Sequence, residues 1–204
     1  MKRTITLLLI TLVLVTAANA QLSYGVKAGG ALTSLPGGGN NYTQPGFFGG
    51  ITASLPLNNK LHLQAELYYS AQGHKELVTW PDTWSPLTGY TNVMSEEKIP
   101  FHLNYINLPL LLRYKPVGGL FIETGFQTGV LVSAKAKSSR GTFDQREYYN
   151  ALDFSVPVGV GYQLPMGLGI TLRYNKGISN VSKESAYTQR NSVLQAGLFY
   201  TITP

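Results

Sequence analysis

Residues Leu61 to Ser70, LHLQAELYYS, alternate strictly between two faces: Leu61, Leu63, Ala65, Leu67 and Tyr69 on one, His62, Gln64, Glu66, Tyr68 and Ser70 on the other. A period of two is the mark of a β-strand with unlike faces. The same pattern predicts strands over Leu22–Thr33, Phe47–Leu57, Tyr105–Tyr114, Leu120–Ser133, Leu152–Leu164, Gly167–Asn175 and Val193–Ile202. Each is about ten residues, the length a tilted strand needs to cross a bilayer. Leu111 breaks phase in the fourth segment and Pro109 falls on its other face, so a bulge is expected there. The connections take turns. Leu57–Lys60, Lys115–Gly119 and Pro165–Met166 are short and carry Asn, Pro or Gly, as tight turns should. Leu35–Pro45, Leu77–Asn104, Ala134–Ala151 and Gly177–Ser192 are long and polar. Eight alternating segments joined this way predict an all-β, antiparallel up-and-down barrel, with short periplasmic turns and long external loops.

Alternation alone does not say which phase faces out, because a soluble lipocalin-like barrel also closes eight strands. Composition decides. Only 13% of the residues are charged, against about 25% in a typical soluble domain. The apolar phase holds no charge, whereas the other phase holds Lys27, Glu66, Arg113, Glu123 and Arg173. That other phase is also rich in glycine (Gly25, Gly29, Gly50, Gly125, Gly129, Gly159, Gly161, Gly197), which suits the narrow interior of eight strands. On the apolar phase the aromatics sit at segment ends. Tyr24, Tyr114, Tyr162 and Tyr200 fall at one rim, and Phe47, Tyr69, Phe154 and Tyr174 at the other. Two such rings are the girdles of a membrane barrel. A mean hydropathy of zero is then the average of a lipid-facing outside and a polar inside.

The first twenty residues have a different purpose. Lys2 and Arg3 precede the apolar Ile5–Val15, and Ala18-Asn19-Ala20 fits a small-x-small cleavage site. A secretory signal peptide over 1–20 is expected, followed by one barrel domain over 21–204. The chain has no cysteine, so neither a disulfide nor a thiolate metal site is available. The net charge of +6 does not cluster into a nucleic-acid footprint.

Five charges pointing into a narrow lumen must pair, since an isolated buried charge is costly. A network of Lys27, Glu66, Arg113, Glu123 and Arg173 is therefore expected to plug the barrel. It leaves one positive charge over, for Asp153 or water to meet. His62, His74 and His102 are the only histidines. His74 and His102 flank the longest external loop beside Ser70 and Glu76, where lone histidines are usually solvated. With no metal, phosphate or cofactor motif, no cofactor or metal is expected, and a lipid-modifying enzyme is the weakest alternative. The second external loop carries both tryptophans, in Trp80-Pro81-Asp82-Thr83-Trp84. Trp is favoured at binding hot spots, so Trp80 and Trp84 are candidate anchors for a protein or glycan partner.

Several segments resemble a known family. YGVKAGGALTSL at 24–35, LHLQAELYYSAQGHK at 61–75, INLPLLLRY at 106–114, LFIETGFQTGVLVSAK at 120–135, DFSVPVGVGYQL at 153–164 and GLGITLRYNKGISN at 167–180 look like successive strands of PorT-like outer-membrane β-barrel proteins. The resemblance implies an eight-stranded barrel in the cell outer membrane. It also implies a role in the group's range, where some members are tied to secretion or surface attachment. It brings no catalytic residues, and the Trp-containing loop lies outside the shared strands. The expectation is a non-enzymatic, monomeric barrel held in outer-membrane lipid.

Overall fold

The computed structural model describes residues 22–37, 41–81, 94–139, 141–183 and 188–202. The expected signal peptide lies outside them. Among the described residues there are nine strands: β1 (Ser23–Ser34), β2 (Asn41–Pro56), β3 (Leu61–Pro81), β4 (Met94–Tyr114), β5 (Leu120–Ser138), β6 (Gly141–Asp144), β7 (Leu152–Gln163), β8 (Leu168–Gly177) and β9 (Ser192–Ile202). All but β6 pair antiparallel in chain order, β5 passing over β6 to β7, and β1 pairs with β9 through Tyr24 and Ile202 to close a ring of eight. Closure pairs both edges of every strand within the ring. The short β6 hangs from the far end of β5, with Lys135 opposite Asp144.

The outward phase is the apolar one. Leu108, Leu110 and Leu112 on β4, Ile122, Phe126 and Val130 on β5, and Ile170 and Leu172 on β8 are all exposed. The opposite phase is buried, from Lys27 on β1 to Gln195 on β9. A soluble barrel would have the reverse arrangement.

The three short turns fall where the sequence put them. At the first, the Asn58 side-chain oxygen accepts from the backbone N–H of Lys60 and Leu61, both at 2.9 Å. At the second, Gly118 takes a positive φ of 55°, a conformation that only glycine adopts freely.

The other end differs from expectation. β3 and β4 each run for 21 residues and β5 for 19, so much of the expected loops 77–104 and 134–151 is strand. The polar side chains there disguised the strands, because above the bilayer neither face has to be apolar. The segments after β6 and β8 are not free loops. Tyr149 bridges to Ser182, the Asn150 N–H donates to the Val181 carbonyl at 2.8 Å, and the Arg190 N–H donates to Pro36 at 3.2 Å. The bulge expected at Leu111 is also corrected. β3 and β4 keep one register along their whole length, and Leu111 simply points inward, fully buried. The irregularities lie higher, at Asn104/Tyr105 against β5 and at Thr43/Phe47 against β3.

Candidate functional site

The lumen gathers the five charged residues into one cluster. Arg173 on β8 is its centre. Its Nη1 and Nη2 donate to the two Glu66 oxygens at 2.7 and 2.8 Å, and its Nε donates to Glu123 Oε1 at 2.8 Å. Arg113 donates to Glu123 Oε2 through Nη2 at 2.8 Å and Nε at 3.1 Å. Lys27 Nζ lies 2.8 Å from Glu66 Oε2, and Gln64 donates to Glu66 Oε1 at 2.6 Å. All five charged side chains are buried.

Register explains how they meet. Arg113 and Glu123 are direct cross-strand partners on β4 and β5. Glu123 and Arg173 are two strands apart, with Gly159 of β7 in register between them. The two side chains therefore span about 10 Å, twice the strand spacing, across a position that has no side chain. A Cβ on Gly159 would lie 3.1 Å from Glu123 Oε1.

The same device seats the lumen aromatics. The Phe48 ring lies over Gly29, Phe121 over Gly161 and Phe199 over Gly169, and the base of the Tyr68 side chain abuts Gly50, each glycine being the aromatic residue's cross-strand partner. Sequence reasoning placed Tyr68 on the inward phase but passed over Phe48, Phe121 and Phe199 and gave these inward aromatics no role. The signal was present: each ring stands on the glycine-bearing phase. They also settle the surplus positive charge. Asp153 does not join the network; its oxygens accept from Ser179 at 2.6 Å and Asn191 at 2.8 Å. Instead the Arg113 guanidinium stacks 3.8 Å from the Phe121 ring centre, and Lys27 Nζ sits 5.1 and 5.0 Å from Phe48 and Tyr68. Aromatic faces stabilise desolvated cations by about 2 kcal/mol.

Two further layers lie above the charges. Tyr68 donates to Gln127 at 2.7 Å, and Gln127 donates to Asn107 at 3.2 Å. At the external mouth Leu35, Leu103, Tyr105, Leu131, Ala134, Tyr149 and Val181 form an apolar cluster, supplied partly by the segments that fold back over the barrel. Tyr149 there has its phenol pKa raised, first by burial and then by Glu76. At the turn end a polar recess of about 200 Å³ is lined by His62, Gln64, Arg113, Lys115 and Gln163, among others. Lys115 in the turn has its pKa lowered by burial and by Arg113.

The remaining candidates are dispersed. Tyr24, Tyr114, Tyr162 and Tyr200 face outward near the turn end. Phe47 and Tyr174 are exposed; Tyr69 and Phe154 are half-buried against Phe47 and Phe126, at 5.9 and 5.7 Å between ring centres. Phe47 and Tyr69 lie inside β2 and β3 rather than at their ends, because those strands continue past the apolar band. His74 is not solvated, as expected of it, but buried and stacked on Phe101 at 4.9 Å. Burial brings its pKa down to about 4. His102 faces the other way and contacts Gln44 at 3.0 Å. The two imidazoles do not share a site with Ser70. Trp80 falls at the end of β3, opposite Ser95, and Trp84 outside the described residues. Among the described residues no cluster of three His, Asp or Glu could hold a metal.

A closed eight-stranded ring with an apolar exterior, a charged core and aromatic rings bounding the apolar band is an integral membrane β-barrel. The chain belongs to the outer membrane protein beta-barrel domain family, whose model matches residues 17–183, and the cell outer membrane is its place. No curated protein matches its sequence. Among solved structures it is similar to Neisserial surface protein A, with 14% identity, 87% of this chain and 96% of that one covered, and a TM-score of 0.53. It is also similar to Ail, the attachment invasion locus protein of Yersinia pestis (13% identity, 88% and 98% covered, TM-score 0.48). A third is the outer membrane protein OprG of Pseudomonas aeruginosa (12%, 91% and 98%, TM-score 0.48). At these identities the likeness concerns the fold.

Proposed function

We propose that this protein is a non-enzymatic, plugged barrel of the PorT-like group that presents its long external hairpins as an interaction surface. The observation that carries the reading is the filled lumen. Arg173 spans the interior from Glu66 to Glu123, and an apolar cluster stands between it and the external side. An ion following the lumen would have to separate buried, hydrogen-bonded ion pairs, which costs several kcal/mol for each pair broken. The separation of His74, His102 and Ser70 supports the non-enzymatic part. The external hairpins carry the interaction role, with Trp80 and Trp84, in the segment that joins β3 to β4, as candidate anchors for a protein or glycan. Outer-membrane lipid is the remaining partner, and a monomer is the expected state.

The test is planar-bilayer recording on purified barrel whose fold is confirmed by heat-modifiable gel migration. Conductance at background level is expected. Reproducible single channels from the folded form would end the plug reading. Replacing Trp80 and Trp84 together by Ala should abolish binding to whichever cell-surface glycan or protein binds the parent barrel; unchanged binding would remove the loop from the proposal.

A further inference from the structure

Beyond the apolar band, β3, β4 and β5 continue as a wall past the upper aromatic ring. Above Tyr69, Ile106 and Val130 the outward phase changes from apolar to basic. It carries Lys75 on β3, Lys98 and His102 on β4, and Lys135 and Lys137 on β5. Register packs them closely: His102 opposes Lys135, and Lys75 opposes Pro100, midway between Lys98 and His102. Diagonal neighbours of this kind stand about 7–8 Å apart. Lys98 Nζ is held 4.4 Å above the Tyr42 ring. On β8, Lys176 occupies the matching place directly above Tyr174.

Most charge is sorted by face at this height, although Glu96, exposed two residues from Lys98 on β4, shares the outward phase. The acids Glu76 and Glu97 lie on the other phase, opposite Ile99 and Val78. Asp144 opposes Lys135, but its Oδ1 accepts from the Arg146 N–H at 2.9 Å. The ion pairs Lys27–Glu66, Arg113–Glu123, Arg173–Glu66 and Arg173–Glu123 all lie in the lumen, well below these lysines. Four lysines crowded on one face repel each other unless anions lie between them.

We propose that this patch binds the phosphate groups of outer-leaflet lipid headgroups, fixing the barrel's depth and tethering a lipid shell to one side. The inference rests on the reading of the apolar band as lipid-facing. Continuity selects the partner. The patch lies on the same outward phase as the band and directly above it, where the headgroup layer must be, and a juxtamembrane Lys adds to anionic-lipid attraction one by one.

The experiment uses the full barrel folded in neutral detergent, titrated with lipid A carrying two phosphates, lipid A carrying one, and phosphatidylcholine, with binding read by native mass spectrometry. A fourfold variant, Lys75→Gln, Lys98→Gln, Lys135→Gln and Lys137→Gln, should bind two-phosphate lipid A at least about tenfold more weakly. The loss should be smaller with one phosphate, and phosphatidylcholine binding should not change. A control, Lys60→Gln with Lys115→Gln at the turn end, should bind as the parent does. Equal affinity of parent and fourfold variant would overturn the proposal, as would an equal loss in the control. Displacement of lipid A by inorganic phosphate at matched ionic strength would assign the patch to free anions instead and overturn it too. Heat-modifiable migration of every variant separates these outcomes from misfolding. A parent that failed to fractionate with the outer membrane would overturn both this proposal and the barrel reading beneath it.

Discussion

Replacing Glu123 by Gln tests the central cluster most directly. Glu123 accepts from Arg113 at 2.8 and 3.1 Å and from Arg173 at 2.8 Å. The substitution keeps the shape but removes the charge, so three buried cations face Glu66 alone. Arg173 retains its two bonds to Glu66, whereas Arg113 is left with the faces of Phe121 and Phe199. Removing one partner of a buried pair costs about 3–5 kcal/mol, and the cation–π contacts should recover little of it. Adding Arg113→Met removes the stranded charge while keeping an unbranched stem against the same rings. The double variant should therefore be more stable than Glu123→Gln alone, with a coupling of about 1–3 kcal/mol. Equilibrium unfolding in urea with phospholipid vesicles, read as the ratio of folded to unfolded gel bands, measures each corner of the cycle. The reasoning is refuted if Glu123→Gln costs under about 1 kcal/mol, the level of an exposed pair, or if the two substitutions are additive.

Three further outcomes follow from the same structure. Leu110 faces lipid near mid-band and Leu111 faces the lumen, so Leu110→Arg should cost about 2–4 kcal/mol and Leu111→Ala about 2–5 kcal/mol, while Leu110→Ala should change little; the same urea assay separates them. Gly50→Ala would drive a Cβ against the Leu67 carbonyl and Tyr68 and should destabilise by about 1–3 kcal/mol, measured as lost folded yield. His74, with its pKa brought down from 6.5 to about 4 by burial, favours the closed external hairpins only while neutral. Its contribution is complete above pH about 6.5, is lost as pH falls toward 4, and totals about 3 kcal/mol; hydrogen exchange in β3 and β4 should show this opening, and a His74→Gln barrel that opened equally at low pH would refute it.

The turn end of the barrel was legible because its constraints are local. Alternation across Leu61–Ser70 marks a strand whatever that strand pairs with, and Asn58 or Gly118 marks a turn from its own chemistry. The external end was not, because the strand extensions of β3 and β4 stand in water. There both faces can be polar, and the period of two that reveals a strand disappears. Leu111 misled for a related reason: a leucine on the polar lumen phase looks like a slip of register until the closed ring is seen to bury it fully.

By itself the sequence determined which phase faces lipid, since a face without charge is a property of residues two apart. It also determined which charges share the interior. Only the tertiary structure decided which of them touch. Arg173 lies 50 residues from Glu123 and 107 from Glu66 along the chain. Their meeting depends on ring closure, on the register between β5, β7 and β8, and on the missing side chain at Gly159. The placement of the surplus cations was also beyond sequence reading. Asp153 matched Arg113 and Lys27 in charge, but the strand register brought rings to those cations and left Asp153 with Ser179 and Asn191. Charge says only that pairing must occur, while the geometry of a closed sheet selects the partners.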